Sequence, residues 1–446
     1  MSRSREGEQF GRVRHGQLRR SNAWTNGLKL LLTGVIAFGL SGVATVAYAV
    51  WGLTQDLNTV TLAKEPGVDT VDLNGKALEG EFTVLLVGSD SRAGSVLDDG
   101  EEGELNDVNL LLHVSADHQN ATVISFPRDL MVPIPSCPGP NGEPEYTPAM
   151  SEQQINSALS VGGLPCVAET ISSLTGMDVP YAGLITFDGV IDMTSAIGGV
   201  GVCLAEPISD PYTGLDLPAG ENWLQGLDAL QFLRTRHGVG DGGDTSRISN
   251  QQVFMSAMVR QLKSADTLGD PLKVFGLAKA AVENMTLSDN MASVPFMQSA
   301  ASTVKDIDLN RINFVQYPTF THPYEEGRLT PDSASAAILM DAVKAGQAIQ
   351  VTAVGEGVTD AGAEGTAPAI DPATGYPIDP VTGWPVDPAT GWPIDPATGV
   401  PTDPATIAPP ATDTPSADPN APVQLPSTIT GQPAAEETCT SGRTVF

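Results

Sequence analysis

An uncharged segment near the N-terminus sets the strongest constraint on how this chain folds. Leu30–Thr54 contains 25 residues and no charged side chain, more than the roughly 20 residues that a helix needs to cross a bilayer. Basic residues precede the segment and aromatic residues lie near its far end, as is typical of membrane helices: Arg19, Arg20, Lys29, Tyr48 and Trp51. The segment predicts a transmembrane helix with residues 1–29 in the cytoplasm and the rest outside the cell.

Two alternatives to an uncleaved anchor remain at this point. Ala47-Tyr48-Ala49 resembles a signal-peptidase site, and cleavage there would release the chain. A buried core helix is the other reading, although so long an uncharged run is rare in soluble domains. The length of the apolar run favours the anchor, because signal-peptide cores are usually shorter.

The distribution of charge excludes one class of partner. The formal net charge is -30, and residues 1–29 hold seven Lys and Arg against two Glu, whereas the remainder holds sixteen against fifty-one. Nucleic-acid binding needs a basic face for the phosphate backbone. The chain beyond residue 29 is therefore not expected to bind nucleic acid.

The four cysteines fit a compartment outside the cytosol. Cys137 and Cys166 bracket a loop rich in Pro and Gly, and a disulfide between them would restrain a segment with little core of its own. The pairing of Cys203 and Cys439 stays open, with a bond between the two as one possibility. A zinc site is not expected, because the chain has five scattered His and no Cys-x-x-Cys.

Composition divides the region outside the membrane into four parts. Residues 55–80 are predicted to be a stalk, 81–265 an α/β catalytic domain, 266–352 a mainly helical extension and 353–446 a disordered tail. The tail contains four octads of the pattern DPxTGxP between residues 371 and 402, and two Pro per octad exclude a regular helix or a central strand. A spacer is the favoured role, and ligand binding through Tyr376, Trp384 and Trp392 is the alternative.

Charged residues follow several short strands of the predicted catalytic domain. "FTVLLVGSDSR" reads as a buried strand followed by Asp90 and Arg92, and "NLLLHV" and "ATVISF" read as a hairpin. Asp107 precedes the first strand of that hairpin, and Arg128 and Asp129 follow the second. Ligands bind beyond strand ends in open α/β sheets, so these residues form a candidate site. Local surface ion pairs are the alternative, since such pairs are common and weak.

Arginines further along the chain suggest an anionic ligand for this site. Five of the eight arginines between residues 55 and 355 belong to the candidate set, which adds Arg234, Arg236 and Arg247. Arg247 is predicted in the first turn of a helix, where a cation opposes the helix dipole unless an anion lies nearby. Arginine forks suit phosphate oxygens, and the Asp90 and Asp107 carboxylates suit a Mg²⁺ shared with phosphate. The set therefore predicts a pyrophosphate-Mg²⁺ site.

Several ordered motifs between about residues 82 and 263 resemble the LytR-CpsA-Psr domain of bacterial cell-wall glycopolymer ligases, in the style of high-GC Gram-positive members. The motifs are "VLLVGSDSR", "VISFPRDLMVPIP", "INSALSVGG", "FDGVIDMTSAIGGVGVCL", "GLDLPAGENWLQGLDALQFLRTRH" and "DTSRISNQQVF". The resemblance implies a three-layer α/β/α domain with a central mixed sheet. It also implies Mg²⁺ (or Mn²⁺) as cofactor, held by Asp90 and Asp107. The residues it implies for the diphosphate are Arg92, Arg128, Arg234, Arg236, Arg247 and Gln251.

The resemblance also implies an activity, with two departures from the family pattern. A membrane-anchored enzyme of this family moves a glycan phosphate from a polyprenyl-pyrophosphate carrier to a peptidoglycan hydroxyl, with Asp90 or Asp129 expected to take the proton and Arg128 to act in catalysis. The family usually has an arginine shortly before the second metal-binding Asp, where this chain has Leu105 and Asn106, and another at the position of Asn250. A non-catalytic lipid-binding regulator and a lipid pyrophosphatase are therefore alternatives. The sequence does not identify the glycopolymer, and a teichoic-type polymer, arabinogalactan and a capsular polymer are the candidates.

Overall fold

The structure is a computed structural model that describes part of the chain. The described residues are 58–62, 78–90, 105–138, 146–264, 267, 270–292, 294–360, 376, 385–386, 394, 400 and 421–445. The predicted membrane segment 30–54, Arg92 and most of the octad repeats lie outside these residues. Within them, no helix is both long enough and apolar enough to cross a bilayer.

Short strands and a few helices alternate along the described chain. The strands are β1 (Asn58–Val60), β2 (Phe82–Ser89), β3 (Asn106–Val114), β4 (Ala121–Phe126), β5 (Met131–Ile134), β6 (Met150–Gln154), β7 (Tyr181–Ile185), β8 (Val200–Leu204), β9 (Ile208–Asp210), β10 (Leu215–Leu217), β11 (Gly220–Leu224), β12 (Met285–Ser288), β13 (Ile312–Gln316), β14 (Thr319–Thr321), β15 (Leu329–Pro331), β16 (Ile349–Gln350), β17 (Val358–Asp360), β18 (Val423–Gln424), β19 (Gly431–Pro433) and β20 (Thr438–Thr440). The α-helices are α1 (Ala158–Thr175), α2 (Phe187–Ala196), α3 (Leu227–Arg234), α4 (Asp244–Lys263), α5 (Pro271–Asn284), α6 (Val294–Val304) and α7 (Ser333–Lys344).

A mixed eight-stranded sheet forms the centre of the domain. Its strand order is β1-β12-β7-β2-β3-β4-β13-β19. Strands β2, β3 and β4 pair antiparallel, whereas β7 joins β2 and β13 joins β4 in parallel. The predicted hairpin of β3 and β4 is confirmed, with His113 opposite Thr122 near its turn.

Both faces of the central sheet are covered, which explains the apolar runs in its strands. Successive side chains of a strand point to opposite faces, and Leu85 and Val84 accordingly belong to two different clusters of buried residues. The Leu85 cluster contains Ile171 of α1 and Leu339 of α7. The Val84 cluster contains Phe296 of α6. The predicted α/β domain with a central mixed sheet is therefore confirmed, and helices contribute to the cores on both faces of that sheet.

A smaller sheet and a third core lie beside the central sheet. The sheet has the order β11-β8-β20-β17. Val202 of β8 and Leu224 of β11 pack with Phe232 of α3 and Phe254 of α4. Helix α4 thus contributes to this core, while its residues Met255 and Val259 also pack against the Val84 cluster.

The predicted boundary at residue 265 does not separate two folding units. Residues 266–352 supply three helices, as expected, but they also supply β12 and β13, which are strands of the central sheet. The predicted stalk likewise contributes β1, which pairs with β12. Helical periodicity is the more visible signal in this region, and it concealed two short buried strands.

The C-terminal end corrects the predicted tail. Residues 421–445 fold back on the domain: β19 pairs with β13 and β20 pairs with β8. Ile429 and Ala434 are fully buried. The prediction of disorder through residue 446 extended the Pro-rich composition of the octads to a segment that has apolar and β-branched residues of its own, and that part of it was wrong.

Two disulfides join segments that are distant in sequence. Cys137–Cys166 is present as predicted, and Cys203–Cys439 resolves the pairing that the sequence left open. The second bond spans 236 residues. It holds β20 to β8 and thereby fixes the end of the chain to the smaller sheet.

Candidate active site

A charged pocket of about 290 Å³ lies where the ends of β2 to β4 meet the start of α4 and the end of α3. Six of the residues predicted for the site line it, together with four that were not predicted. The predicted residues are Asp90, Asp107, Arg128, Arg234, Arg236 and Arg247, and the others are Asp210, Tyr212, Thr213 and His237. The structure thus brings together residues that are up to 157 positions apart in the chain.

Backbone pairing places the two candidate metal ligands in this pocket. Asp90 directly follows β2, and its carboxylate Oδ1 accepts a hydrogen bond of 2.8 Å from the backbone N–H of Leu105. The backbone N–H of Asp90 donates to the carbonyl of the same Leu105 at 3.2 Å. Asp107 lies at the start of β3, the antiparallel neighbour of β2. The pairing of β2 with β3 therefore aligns the two carboxylates at one edge of the sheet.

Arg128 is the centre of a network of carboxylates. Its Nη1 donates to Asp107 Oδ1 at 2.7 Å, and its Nε lies 3.6 Å from both Asp129 Oδ2 and Asp244 Oδ1. Burial disfavours the charged guanidinium, but Asp107, Asp244 and Asp129 outweigh burial and raise the pKa of Arg128. Arg128 is therefore held in one place and fully charged at neutral pH.

Asp244 is a site residue that the sequence reasoning missed. It opens α4, and its Oδ1 lies 2.6 Å from Nη2 of Arg247 and close to Arg128. Burial raises the pKa of Asp244, and the neighbouring arginines oppose that effect. The i, i+3 spacing of a first-turn acid and Arg247 was the available signal, since such pairs face each other on a helix.

The buried charges of this network are incompletely hydrogen-bonded. Four atoms have no hydrogen-bond partner among the described residues: both carboxylate oxygens of Asp244 and the Nε atoms of Arg128 and Arg247. The close ion pair of Asp244 with Arg247 does not have hydrogen-bond geometry. Buried polar groups are normally satisfied, and exceptions often mark a ligand or ion site. The two Nε–H groups are therefore unsatisfied donors on arginines that line the pocket.

Three guanidinium groups reach the pocket from the end of α3, from the turn after it and from the start of α4. They belong to Arg234, Arg236 and Arg247. Arg234 ends α3, with its Cζ 4.6 Å from the ring centroid of Phe187. Thr235 is extended, so Arg234 and Arg236 both reach the pocket, as their i, i+2 spacing predicted. Burial lowers the pKa of Arg236, and the nearby charges of Arg247 and Arg128 lower it further. Like charges held this close favour binding of an anion that relieves their repulsion.

The end of α3 is fixed by a buried acid that lines the same pocket. Asp210 is 1% exposed and accepts a hydrogen bond of 2.5 Å from Thr235 Oγ1 through its Oδ2. Its Oδ1 accepts one of 3.0 Å from the backbone N–H of Tyr212. Asp210 therefore links the loop bearing Tyr212 to the turn between Arg234 and Arg236.

Two other predicted residues are placed outside the pocket lining. Asp129 Oδ1 accepts hydrogen bonds from Gln154 Nε2 and Arg328 Nη1, each at 2.8 Å. Its Oδ2 lies 3.6 Å from Nε of Arg128. Gln251 donates through Nε2 to the backbone carbonyl of Leu233 at 3.0 Å. Asp129 therefore contacts Arg128 and Arg328, and Gln251 is tied to the end of α3.

The asparagines at the two departures from the family pattern are structural in this chain. Asn106 is fully buried, donates to Asn109 Oδ1 at 2.7 Å and accepts from the backbone N–H of Leu159 at 3.1 Å. Asn250 is also fully buried, donates to the carbonyl of Phe232 at 2.7 Å and accepts from Thr440 Oγ1 at 2.8 Å. Both side chains are therefore part of the packed interior, where they satisfy backbone and side-chain polar groups.

The carboxylates of the pocket suit a metal ion that also binds a phosphate of the substrate. Among the described residues, no group of three or more His, Cys, Asp or Glu side chains is arranged to hold a metal. Asp90 and Asp107 nevertheless line one pocket with the arginines. Mg²⁺ is commonly bound by one or two carboxylates plus substrate phosphates and water, so these residues fit Mg²⁺ or Mn²⁺ with a phosphate ligand.

Comparison with known proteins assigns the chain to a family. The profile described as "LytR_cpsA_psr family" matches residues 49–337. The chain belongs to the LytR_cpsA_psr family. The matched range contains every residue of the charged pocket.

Individual relatives of this LytR_cpsA_psr protein share less than a third of their aligned residues with it. It is 28% identical over 318 residues to "Cell wall biosynthesis protein LcpA" of Corynebacterium glutamicum, which covers 63% of this chain and 60% of that protein. It is 22% identical to "Polyisoprenyl-teichoic acid--peptidoglycan teichoic acid transferase TagU" of Halalkalibacterium halodurans over 65% of this chain and 92% of that one. The chain thus spans about three fifths of the length of the Corynebacterium protein. The solved "LytR-Csp2A-Psr enzyme from Actinomyces oris" aligns with a TM-score of 0.48 at 21% identity, over 64% of this chain and 95% of that one.

Proposed function

We propose that this protein transfers a glycopolymer from a polyprenyl-pyrophosphate carrier to peptidoglycan. One observation carries the proposal: Arg128, Arg234, Arg236 and Arg247 line a single pocket with Asp90 and Asp107. Guanidinium forks match phosphate oxygens, and a carboxylate pair suits the metal that accompanies a diphosphate. The printed name of the Halalkalibacterium relative, a transferase of polyisoprenyl-teichoic acid to peptidoglycan, supports the same reaction class.

The arginines would act on the charge that develops as the reaction proceeds. An acceptor hydroxyl attacks the phosphorus that carries the glycan, the P–O bond to the bridging oxygen breaks, and polyprenyl phosphate leaves with its added negative charge. Phosphoryl transfer depends mostly on positioning and on charge stabilisation. Arg247 is buried, Arg128 is half-buried, and both are fixed by carboxylates, so they need little rearrangement to meet this charge. Arg92 belongs to the proposed diphosphate set on its sequence position alone.

The proton of the acceptor hydroxyl needs a base within reach. Asp90 lines the pocket, whereas Asp129 does not. Asp129 Oδ1 already accepts hydrogen bonds from Gln154 and Arg328. This placement supports Asp90 as the acceptor and Asp129 as a positioning residue. Mg²⁺ or Mn²⁺ on Asp90 and Asp107 would neutralise phosphate oxygens and orient them for attack.

Features of the sequence support a lipid-linked donor and a location at the membrane. The uncharged segment Leu30–Thr54, with basic residues before it, supports a membrane anchor with the catalytic domain on the extracellular side. An anchored enzyme meets an acyl-lipid donor without either partner crossing water. The two disulfides support an oxidising compartment.

Product analysis tests the proposal. The full-length chain is incubated with a labelled lipid-linked glycan, soluble peptidoglycan fragments and Mg²⁺, with Asp107→Ala as the inactive variant and Asp216→Ala as the control, because Asp216 is exposed and outside the pocket. Label on peptidoglycan that depends on Mg²⁺ and on Asp107 is the expected result. Release of free glycan phosphate to water indicates a pyrophosphatase instead, and binding of the lipid without any product indicates a regulator.

A further inference from the structure

A second pocket lies on the smaller sheet and shares no residue with the charged pocket. It has a volume of about 270 Å³ and is formed by β8, β11, the C-terminal segment and the middle of α4. The residues that define its chemistry are Gly201, Glu221, Trp223, Arg260, Gln261 and Glu437. None of them was singled out by the sequence analysis.

Trp223 is held rigidly across β8. It lies opposite Gly201 in the antiparallel pair of β11 and β8, and its indole Nε1 donates to the carbonyl of Gly198 at 2.6 Å. A β-carbon at Gly201 would lie 2.8 Å from the indole Cζ3, and one at Gly199 would collide with Nε1. The two glycines therefore leave the space that the indole occupies. Gly199 also has a φ of +98°, which strains any residue with a side chain.

The same indole is left open on the solvent side. Trp223 is 60% exposed, although large aromatic side chains dominate the energetics of buried cores and interfaces. An aromatic ring fixed by the backbone and still exposed presents a flat apolar surface without the entropy cost of ordering it later. This combination is typical of a surface that binds a flat or ring-shaped ligand.

The polar groups around the indole suit hydroxyl groups. Glu221 and Glu437 offer carboxylate acceptors and Gln261 offers an amide. Arg260 is fixed, since its Nη1 donates to the carbonyls of Ala434 and Glu436 at 2.8 and 2.9 Å. Burial lowers the pKa of Arg260, and the charges of Glu437 and Glu221 oppose that effect without reversing it. One fixed cation therefore partly balances two carboxylates in the pocket.

We propose that the Trp223 pocket binds the sugar rings of a polysaccharide. The C–H hydrogens on one face of a pyranose are weakly positive and are attracted to the negative face of the indole, while the ring hydroxyls donate to Glu221 and Glu437. A cationic ligand also suits an indole with carboxylates, but the guanidinium of Arg260 on the same pocket opposes it. A neutral polyhydroxyl ligand meets all of these groups.

The position of the pocket fits a polymeric substrate. Val253 and Gln261 line it, and Arg247 of the same helix lines the charged pocket. At 1.5 Å per residue these positions are about 9 and 21 Å from Arg247 along α4. Several linked sugars span such a distance, so the separation allows one polysaccharide to reach from the Trp223 pocket to the phosphate site, a link that rests on the proposed function. Binding of free saccharide at Trp223 does not require the transfer reaction to occur.

Two saccharides test the proposal and distinguish the source of the sugar. The full-length chain is titrated calorimetrically with a peptidoglycan tetrasaccharide that lacks lipid and, separately, with a lipid-free arabinogalactan oligosaccharide. We expect one of them to bind, which assigns the pocket to the acceptor or to the donor glycan. Affinity should fall at least about fivefold in Trp223→Ala and less in Trp223→Phe, which keeps an aromatic face. Tyr324→Ala is the matched control, because Tyr324 is 91% exposed and lies outside the pocket.

Several results would overturn the proposal. These are absence of binding by both saccharides, equal affinity of Trp223→Ala and the unchanged chain, or competition by choline, which would assign the pocket to a cation. Circular dichroism establishes that each variant is folded. If Trp223→Ala does not fold, Trp223→Phe and Glu221→Gln provide the test, and unchanged affinity in both rejects the sugar site. Loss of transfer activity with saccharide binding intact would refute the proposed function without touching this inference.

Discussion

The side chains of the two pockets along α4 are held in place by different kinds of contact. In the charged pocket, side chains hold each other: Asp107 and Asp244 bind Arg128 and Arg247. In the Trp223 pocket, the backbone holds the side chain, through the Gly198 carbonyl and the space left by two glycines. The first arrangement depends on every charge in it, whereas the second depends on the pairing of two strands.

This difference predicts how each pocket responds to a ligand and to mutation. A phosphate entering the charged pocket must compete with carboxylates for the arginines, and a metal on the carboxylates would relieve that competition. A sugar entering the Trp223 pocket displaces water from a surface that is already formed. Mutations in the charged pocket should therefore alter chemistry strongly, and mutations around Trp223 should alter affinity more modestly.

The largest expected effect is that of Arg128→Ala. Arg128 contacts Asp107, Asp129 and Asp244, so its loss removes a phosphate ligand and leaves three carboxylates facing the site. Transfer to peptidoglycan should fall about 10⁴-fold, within the range for arginines that stabilise phosphoryl transfer. Arg128→Lys should recover only part of the rate, because an ammonium cannot form the guanidinium fork. Single-turnover transfer of labelled glycan measures both variants.

Arg328→Ala is the control for this experiment. Arg328 also binds Asp129, at 2.8 Å, but it does not line the pocket. Its loss should change the transfer rate by less than about threefold, since a partly exposed ion pair contributes little. Equal losses in Arg128→Ala and Arg328→Ala would show that the network acts by general stability and not by contact with the substrate.

The two disulfides give a second way to separate the pockets. Cys203 lines the Trp223 pocket and its partner lies in β20. Cys137–Cys166 instead closes the segment that supplies Gln154 to Asp129. Replacing either pair by serine should reduce the free energy of unfolding by roughly 2 to 5 kcal/mol, more for Cys203–Cys439 because its loop is longer. Denaturant unfolding of the two double variants measures the order.

Binding and transfer assays then locate each effect. The Cys203→Ser/Cys439→Ser variant should lose more saccharide affinity than transfer rate measured with saturating acceptor, and Cys137→Ser/Cys166→Ser should show the reverse. The same ratio of losses in both variants would contradict the independence of the two pockets.

Much of the charged pocket was accessible from the sequence because its residues lie at strand ends. Asp90, Asp107 and Arg128 follow or precede apolar runs, and the strand pairing that aligns them needs only a hairpin and a neighbouring strand. The i, i+2 spacing of Arg234 and Arg236 predicted their common direction. Asp244 was missed because it stands among other small and polar residues at a helix start, where an acid is ordinary.

The Trp223 pocket and the folded C-terminus were not accessible in that way. The indole is placed by the pairing of Trp223 with Gly201, and a glycine in a sequence does not indicate which side chain will cover it. The end of the chain pairs with β13 and β8, which precede it by more than a hundred residues. Composition gives no information about such distant partners, and the Pro-rich octads between them suggested disorder.

The smallest expected effect tests the contact that links the two pockets. Asn250 of α4 donates to Phe232 of α3, two residues before Arg234, and accepts from Thr440 of β20, two residues after Thr438. Asn250→Ala leaves a buried carbonyl and a buried hydroxyl without their partner, which should cost about 1 to 3 kcal/mol of unfolding free energy. Gln251→Ala, which loses one hydrogen bond to Leu233, should cost less and serves as the neighbouring control. Because Asn250 contacts elements of both pockets, transfer rate and saccharide affinity should decline together by a few-fold. Asn250→Arg should not raise the transfer rate, since the position is fully buried and the substitution removes both hydrogen bonds of Asn250 while introducing a larger, charged side chain. A gain in transfer with Asn250→Arg would instead show that the helix can turn this position towards the phosphate, and the separation of the two pockets along α4 would then have to be revised.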